Sequence, residues 1–269
     1  MPLDPLILVT NDDGIASPGL AAAVRAVAGL GDVIVAAPER QWSGAGRSFA
    51  QDPGGRIVRQ PLVVDQRPIV AYSIGASPAV AVLHALVELV PRRPSLVVSG
   101  INYGENIGAD ITHSGTVGAA LQAAASGSRA LAVSLQTPKE THTRPSHHVD
   151  FSTAVHFARL FTQRLLGTAL PFDTDVLKVD IPPGATSATP WRVCRVSRHT
   201  YFEATPRGAP AVGALVGLDY GPVTNPECTE ADSDIYALAV DRVVAVCPLT
   251  IDLTARVSLP ELDRMLRTP

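Results

Sequence analysis

Short, uninterrupted apolar runs recur along the first half of the chain, at Leu6–Thr10, Val33–Ala37, Ile69–Ser73, Leu96–Ser99 and Ala130–Leu135. A strand with one face in water alternates apolar and polar residues, whereas a strand apolar throughout is covered on both faces. Helical patterns separate the runs. Ser17 is a good N-cap, Pro18 suits the first helical position, and Leu20, Val24 and Val27 follow at i, i+4 and i+7. Ser77-Pro78 repeats this start, with Leu83, Leu86, Val87 and Val90 at helical spacing, and Thr116–Ala125 predicts an alanine-rich helix that can lie close to a sheet. Buried strands alternating with helices build a doubly wound, mostly parallel α/β sheet.

Further on, Thr137–Val149 is polar and reads as a mobile surface loop. Phe151–Leu165 predicts a helix with Phe151, Val155, Ala158, Phe161 and Leu165 on one face, and Val176–Ile181 predicts a strand closed by Pro182-Pro183-Gly184. Beyond this point Pro and Gly increase and helical periodicity fades. Ile235–Val240 and Val243–Cys247, around Asp241-Arg242, predict a β-hairpin. The expected organisation is an α/β catalytic core over 1–185 and a C-terminal extension with the hairpin over 186–269, both within one domain.

Composition narrows the function. Lys and Arg number 22 against 25 Asp and Glu, a net charge of −3, so there is no basic field for a nucleic-acid polymer. Hydrophobic residues at 46% and charged residues at 17% exclude a disordered chain. Cys194, Cys228 and Cys247 lack the spacing of a disulfide framework or zinc knuckle and predict reduced thiols in a cytoplasmic protein. No basic residue precedes Arg25, which argues against a signal peptide. The long uncharged stretch Pro68–Val87 is broken by Tyr72, Ser73, Gly75, Ser77 and Pro78, so no membrane partner is expected.

Open α/β sheets bind ligands beyond the carboxyl ends of their strands, and the polar residues concentrate there. The first run ends in Asn11-Asp12-Asp13-Gly14, and the second leads into Pro38-Glu39-Arg40-Gln41-Trp42-Ser43-Gly44. The Leu96 run leads into Ser99–Gly108, and His113-Ser114-Gly115-Thr116 introduces the alanine-rich helix. Adjacent carboxylates repel unless a cation compensates. Asp12 and Asp13, with the Ser43 hydroxyl and Asn102 carbonyl as neighbouring donors, form an all-oxygen set suited to Mg²⁺, Mn²⁺ or Ca²⁺. Taken alone, Asn11–Gly14 also reads as an ordinary turn. Ser114-Gly115-Thr116 opens a helix whose free N–H groups attract anions, and Asn106 lies in a Gly-rich loop that lets backbone approach a ligand; plain helix capping explains the same residues. A cation site beside an anion site is the equipment of phosphoryl transfer.

Competing motifs are incomplete. There is no P-loop and no G-x-S-x-G elbow, and Gly44-Ala45-Gly46 lacks the third glycine of a dinucleotide fingerprint, which disfavours a nicotinamide-dependent oxidoreductase. His142, His147 and His148 lie in the polar loop without metal-binding spacing and read as solvated. His84 reads as a packed helix residue.

Ile7–Gly19, Ala36–Gly46 and Ser99–Ala120, with a weaker match in the segment SDIYALAVDRVVAVCPL, resemble the SurE (survival protein E) family of metal-dependent nucleotidases and phosphatases. The resemblance implies a Rossmann-like sheet with a C-terminal hairpin used for oligomerisation. It also implies one divalent cation per subunit on Asp12, Asp13, Ser43 and Asn102, with Asp12 and Asp13 catalytic. Phosphate would rest on Asn106, Ser114, Gly115 and Thr116, with Asn11 shaping the site and His113 a candidate general acid. The implied activity is hydrolysis of nucleoside monophosphates by a homodimer or homotetramer. The alternatives are a diverged phosphatase for a specialised phosphorylated metabolite and a non-catalytic phosphometabolite-binding module. Departures from the family pattern are His113 in place of Tyr, Gly75–Ala81 in place of Gly-Thr-Pro-Ala-Asp-Cys, and Lys178-Val179-Asp180-Ile181-Pro182 in place of Asn-Val-Asn-x-Pro. The glycine usual in the C-terminal hairpin is also missing.

Overall fold

Every residue of β1 (Leu6–Thr10) is buried, as its unbroken apolar sequence requires. The computed structural model describes residues 4–142, 146–206, 218–223 and 225–268. After β1 come α1 (Pro18–Val27), β2 (Asp32–Pro38), and the antiparallel pair β3 (Ile57–Val64) and β4 (Arg67–Ile74). They are followed by α2 (Pro78–His84), β5 (Leu96–Tyr103), α3 (Gly115–Ala125), β6 (Ala130–Leu135), α4 (Ser152–Gly167) and β7 (Val176–Ile181). Next come β8 (Trp191–Val193), β9 (Phe202–Pro206), β10 (Leu218–Pro222), β11 (Val244–Leu249) and α5 (Leu259–Arg267).

One nine-stranded sheet has the order β3-β4-β2-β1-β5-β6-β7-β11-β8. From β4 to β7 all neighbours are parallel. β3 runs antiparallel to β4 and β11 antiparallel to β7, while β8 is parallel to β11. This is the mostly parallel α/β architecture that the apolar runs imply. The chain winds outward from β1 through β2 and then, on the other side, through β5. The carboxyl ends of β1 and β5 therefore flank a topological switch point, where such sheets bind ligands.

Alternation along β1 splits the core. Ile7 and Val9 join Leu20, Val24 and Val27 of α1 and Phe157 and Phe161 of α4. Leu8 faces the opposite layer, with Val80 of α2 and Val117, Ala120 and Ala123 of α3. Each buried Leu, Val or Phe contributes roughly 1.5–3 kcal/mol. Ser17 caps α1 as expected, its Oγ accepting from the Gly19 N–H at 3.2 Å.

Three expectations need correction. First, the α2 helix widens into a π-helical turn over Ala85–Leu89; Ala79, Val80, Ala81, Val82 and Ala85 face the core and Val87 is 78% exposed. Second, no hairpin forms at Ile235–Cys247. Tyr236–Val240 is a π-helical turn, because Ile235 and Leu238 share one face and pack with Ile107 and Tyr201. Val244–Leu249 then pairs with β7 in the main sheet. The extension does contain an antiparallel hairpin, formed instead by β9 and β10. Third, the polar loop after β6 turns His142 inward against the hairpin, as described below. Thr143, Arg144 and Pro145 of that loop lie outside the described residues.

Cys194 and Cys247 are buried free thiols with sulfurs 3.5 Å apart, and Cys228 is an exposed one. Among the described residues no helix is long and apolar enough to cross a membrane.

Candidate active site

The turn after β1 is built by its own side chains. Asn11 Nδ2 donates to the Gly14 carbonyl at 3.0 Å, and its Oδ1 accepts the Gly14 N–H at 3.2 Å. Gly14 has a φ of 95°, which L-residues with a side chain rarely adopt. Asn11 is thus fully buried and acts as a clamp on the turn. The clamp leaves Asp12 and Asp13 side by side, 4% and 6% exposed.

Asp12 faces the start of α3. Thr116 Oγ1 donates to Asp12 Oδ1 at 2.5 Å. A Cβ on residue 115 would come within 2.7 Å of both Cβ and Oδ2 of Asp12, so only glycine allows this approach. Burial raises the Asp12 pKa, against the lowering effect of the Thr116 hydroxyl and nearby backbone N–H groups that include Thr116 and Gly115. Asp13 accepts from Gln41 Nε2 at 3.2 Å and the Tyr103 N–H at 3.4 Å. Its pKa stands well above the usual carboxylate range, first through burial and then through repulsion from Asp12. Thr116 thus directs its hydroxyl proton to Asp12. At the same helix end, Ser114 Oγ accepts the Val117 N–H at 3.1 Å as the N-cap and keeps its own proton free.

Two residues with neutral oxygens, Asn102 and Ser43, line the same cleft as Asp12. Asn102 Nδ2 donates to the Tyr103 and Gly104 carbonyls at 3.2 and 2.9 Å, which leaves its Oδ1 as the free end. The backbone that places it is irregular: the β5–β6 register shifts between Ser99 and Asn102, and the Gly100–Ile101 peptide is cis. Ser43 Oγ donates to the His142 carbonyl at 3.4 Å and retains its lone pairs. Gln41 donates to that carbonyl at 2.6 Å as well as to Asp13, tying the β2 loop to the loop after β6.

The chemistry of these donors fits a hard divalent cation. Two buried carboxylates are pushed toward protonation by their surroundings, their hydrogen-bond donors are neutral, and the adjacent free ends are oxygens. Among the described residues no group of three or more His, Cys, Asp or Glu is placed to hold an ion. A cation here would have two carboxylates plus neutral oxygens to rest on, a set unlike that of zinc.

Asp12, Ser43, Asn102, Asn106, His113 and Ser114 all line one cleft of about 470 Å³. Asn106 donates from Nδ2 to Ser134 Oγ at 2.8 Å and from its backbone to Asp180 at 2.7 Å. His113 is exposed at the rim. The far wall is Tyr103, His142, Phe202 and Tyr220. His142 stacks on Tyr220 with centroids 6.2 Å apart and an interplanar angle of 17°. Its Nε2 lies 3.1 Å from the Thr137 carbonyl, which fixes the proton there and leaves Nδ1 to accept from the Tyr220 hydroxyl at 3.2 Å. Burial lowers the His142 pKa. Glu105 also lines the cleft; one oxygen accepts from Gln136 Nε2 at 2.9 Å, and burial pushes its pKa up to about 7.

Sequence reasoning did not find Gln41, Glu105, His142 or the aromatic wall. A polar histidine-bearing loop reads as solvated, and nothing local announces partners in a hairpin some eighty residues downstream. His147 and His148 lie outside this cleft.

The family model described as Survival protein SurE matches residues 7–203. The 5'-nucleotidase SurE of Thermococcus kodakarensis is 38% identical over 265 residues, spanning 97% of this chain and 98% of that protein. The protein of the same name from Archaeoglobus fulgidus is 37% identical and spans 93% of both. Among solved structures, the SurE protein from Aquifex aeolicus superposes with a TM-score of 0.74 at 28% identity, covering 97% of this chain and all of that one.

Proposed function

This chain belongs to the SurE family, and on that footing we propose that it is a divalent-metal-dependent phosphomonoesterase acting on nucleoside 5'-monophosphates. One observation carries the reading: two adjacent, buried, mutually repelling carboxylates lie at the sheet's switch point against the start of a helix. Asp12, Asp13, Ser43 and Asn102 would hold the cation. Such an ion, when bound, neutralises charge on a phosphoryl oxygen and makes the attacking water more acidic.

The protein's own groups do the rest. Thr116 and the start of α3 fix the Asp12 carboxylate, and Gln41 fixes Asp13, so neither swings when substrate arrives. One of this pair accepts the proton of the attacking water. The Ser114 hydroxyl and the second hydrogen of Asn106 Nδ2 would face the phosphate oxygens and stabilise the charge that builds there, while the Gly115, Thr116 and Val117 N–H groups serve Asp12 and the Ser114 cap. His113, at the rim, protonates the departing alcohol. The aromatic wall of Phe202, Tyr220 and His142 suits a flat heterocycle, which favours a nucleoside over a sugar phosphate.

The same reading makes the chain a homodimer or homotetramer. Leu253, Leu259, Met265 and Leu266 of the C-terminal tail are all more than half exposed, an apolar surface suited to a second copy.

The deciding experiment is a phosphate-release screen with Mn²⁺ or Mg²⁺ across nucleoside monophosphates, sugar phosphates, short polyphosphates and phosphorylated secondary metabolites. Turnover of nucleoside monophosphates that EDTA abolishes and added metal restores is the expected result. A preference for another ester would make this a diverged phosphatase. Binding of phosphorylated metabolites without turnover would make it a binding module.

A further inference from the structure

β7 is an interior strand, yet two of its residues, Lys178 and Asp180, are charged and fully buried. At i and i+2 they share one face of the strand. Lys178 Nζ donates to Asp180 Oδ2 at 2.6 Å and lies 3.1 Å from Asp234 Oδ2, which is equally buried. Buried ions seldom improve stability over a well-packed apolar core. What these three hold is therefore informative.

Asp180 Oδ1 accepts the Asn106 N–H at 2.7 Å, and Asp234 Oδ2 accepts the Gly108 N–H at 3.1 Å. Asp234 Oδ1 meanwhile accepts the N–H groups of Ser197 and Ile235, each at 2.9 Å. Both ends of the loop from Asn106 to Gly108 thus rest on buried carboxylates, and one lysine bridges the two. The loop has no slack: a Cβ on residue 108 would lie 2.4 Å from the His199 carbonyl. β7, this loop and the C-terminal extension are joined at one point.

We propose that Lys178, Asp180 and Asp234 are positioning residues for the phosphate end of the cleft, fixing the backbone of residues 106–108 so that the Asn106 side-chain amide meets the substrate phosphate. The proposal rests on the reading of Asn106 given above. The working element is the acceptor oxygen opposite the Asn106 N–H; Lys178 holds that oxygen in place.

The test is a double-mutant cycle on the full-length, Mn²⁺-loaded enzyme. It reads KM and kcat for AMP and the inhibition constant of inorganic phosphate. Asp180→Ala should weaken phosphate inhibition and raise KM by about 10-fold or more, whereas Asp180→Asn, which keeps an acceptor oxygen, should stay within about 3-fold of wild type. Asn106→Ala/Asp180→Ala should be no weaker than Asn106→Ala alone, because a positioning residue loses its effect once the group it positions is gone. Independent multiplication of the two effects, or unchanged phosphate inhibition in Asp180→Ala, overturns the proposal and leaves the role of Asn106 standing. Unchanged inhibition in Asn106→Ala overturns the reading of Asn106, and the positioning role with it. Should Asp180→Ala fail to fold, Asp234→Ala removes the acceptor from the other end of the loop and carries the same cycle to the same outcomes.

Discussion

Asp12, Asp13, Ser43 and Asn102 are small polar residues at strand ends, and each can be named from local sequence because its place depends on the strand just before it. Glu105 and His142 are different. Their burial depends on Gln136, Tyr201 and Tyr220, all distant in sequence, so only the fold reveals them. Lys178 and Asp180 are an intermediate case. Two charges in an apolar strand are visible in the sequence, but their partner Asp234 is not. Glu105 gives a prediction at this scale. Its pKa is raised from 4.5 to about 7 by burial, which disfavours the charged carboxylate. The unfolded chain ionises Glu105 before the folded one does, so the group costs nothing below pH 4.5 and its stability contribution is lost as pH rises to about 7. The loss levels off at roughly 3 kcal/mol at most. Glu105→Gln should therefore gain in melting temperature over wild type progressively across this window, then hold a constant lead. A difference that does not change with pH would refute the assignment.

At the scale of elements, strands buried on both faces were legible from β1 to β7, because a continuous apolar run has few other uses. β3 was not: Ile57–Val64 carries Arg59, Gln60 and Pro61 and forms an exposed edge strand, where polar residues and proline are tolerated. The hairpin was misplaced for a related reason. Residues 235–240 are apolar enough for a strand, and only their packing against Ile107 and Tyr201 makes them helical. The element on which function turns is α3, whose first turn presses on Asp12. Gly115→Ala tests that contact, because its methyl group would need space the Asp12 carboxylate occupies. Alanine suits a helix start, so the fold should survive, with a melting temperature lowered to match the roughly 1–3 kcal/mol that overpacking costs. Phosphate release should nevertheless fall by about 10²-fold, as expected when reacting groups are displaced by ~1 Å. Near-normal turnover in this variant would mean that α3 and Asp12 do not act together.

At the scale of the whole molecule, the sequence implied the sheet but not the way the C-terminal extension enters it. β11 pairs with β7 and β8 joins beyond, so the extension widens the core sheet, and Asp234 is brought against the loop at Gly108. What the extension leaves outside is the tail, where Leu253, Leu259, Met265 and Leu266 stay more than half exposed among the described residues. Removing residues 251–269 should lower the oligomer to a monomer by light scattering, while an unchanged mass would place the subunit contact elsewhere. On the proposed mechanism, Asp12, Asp13, Ser43 and Asn102 converge on one cation beside the phosphate. Anomalous diffraction from crystals soaked in Mn²⁺ and phosphate tests it most directly. One peak per chain within about 2.0–2.6 Å of oxygens from those four residues is the result this account requires. A peak on other residues, or none in an enzyme that Mn²⁺ still activates, would contradict it.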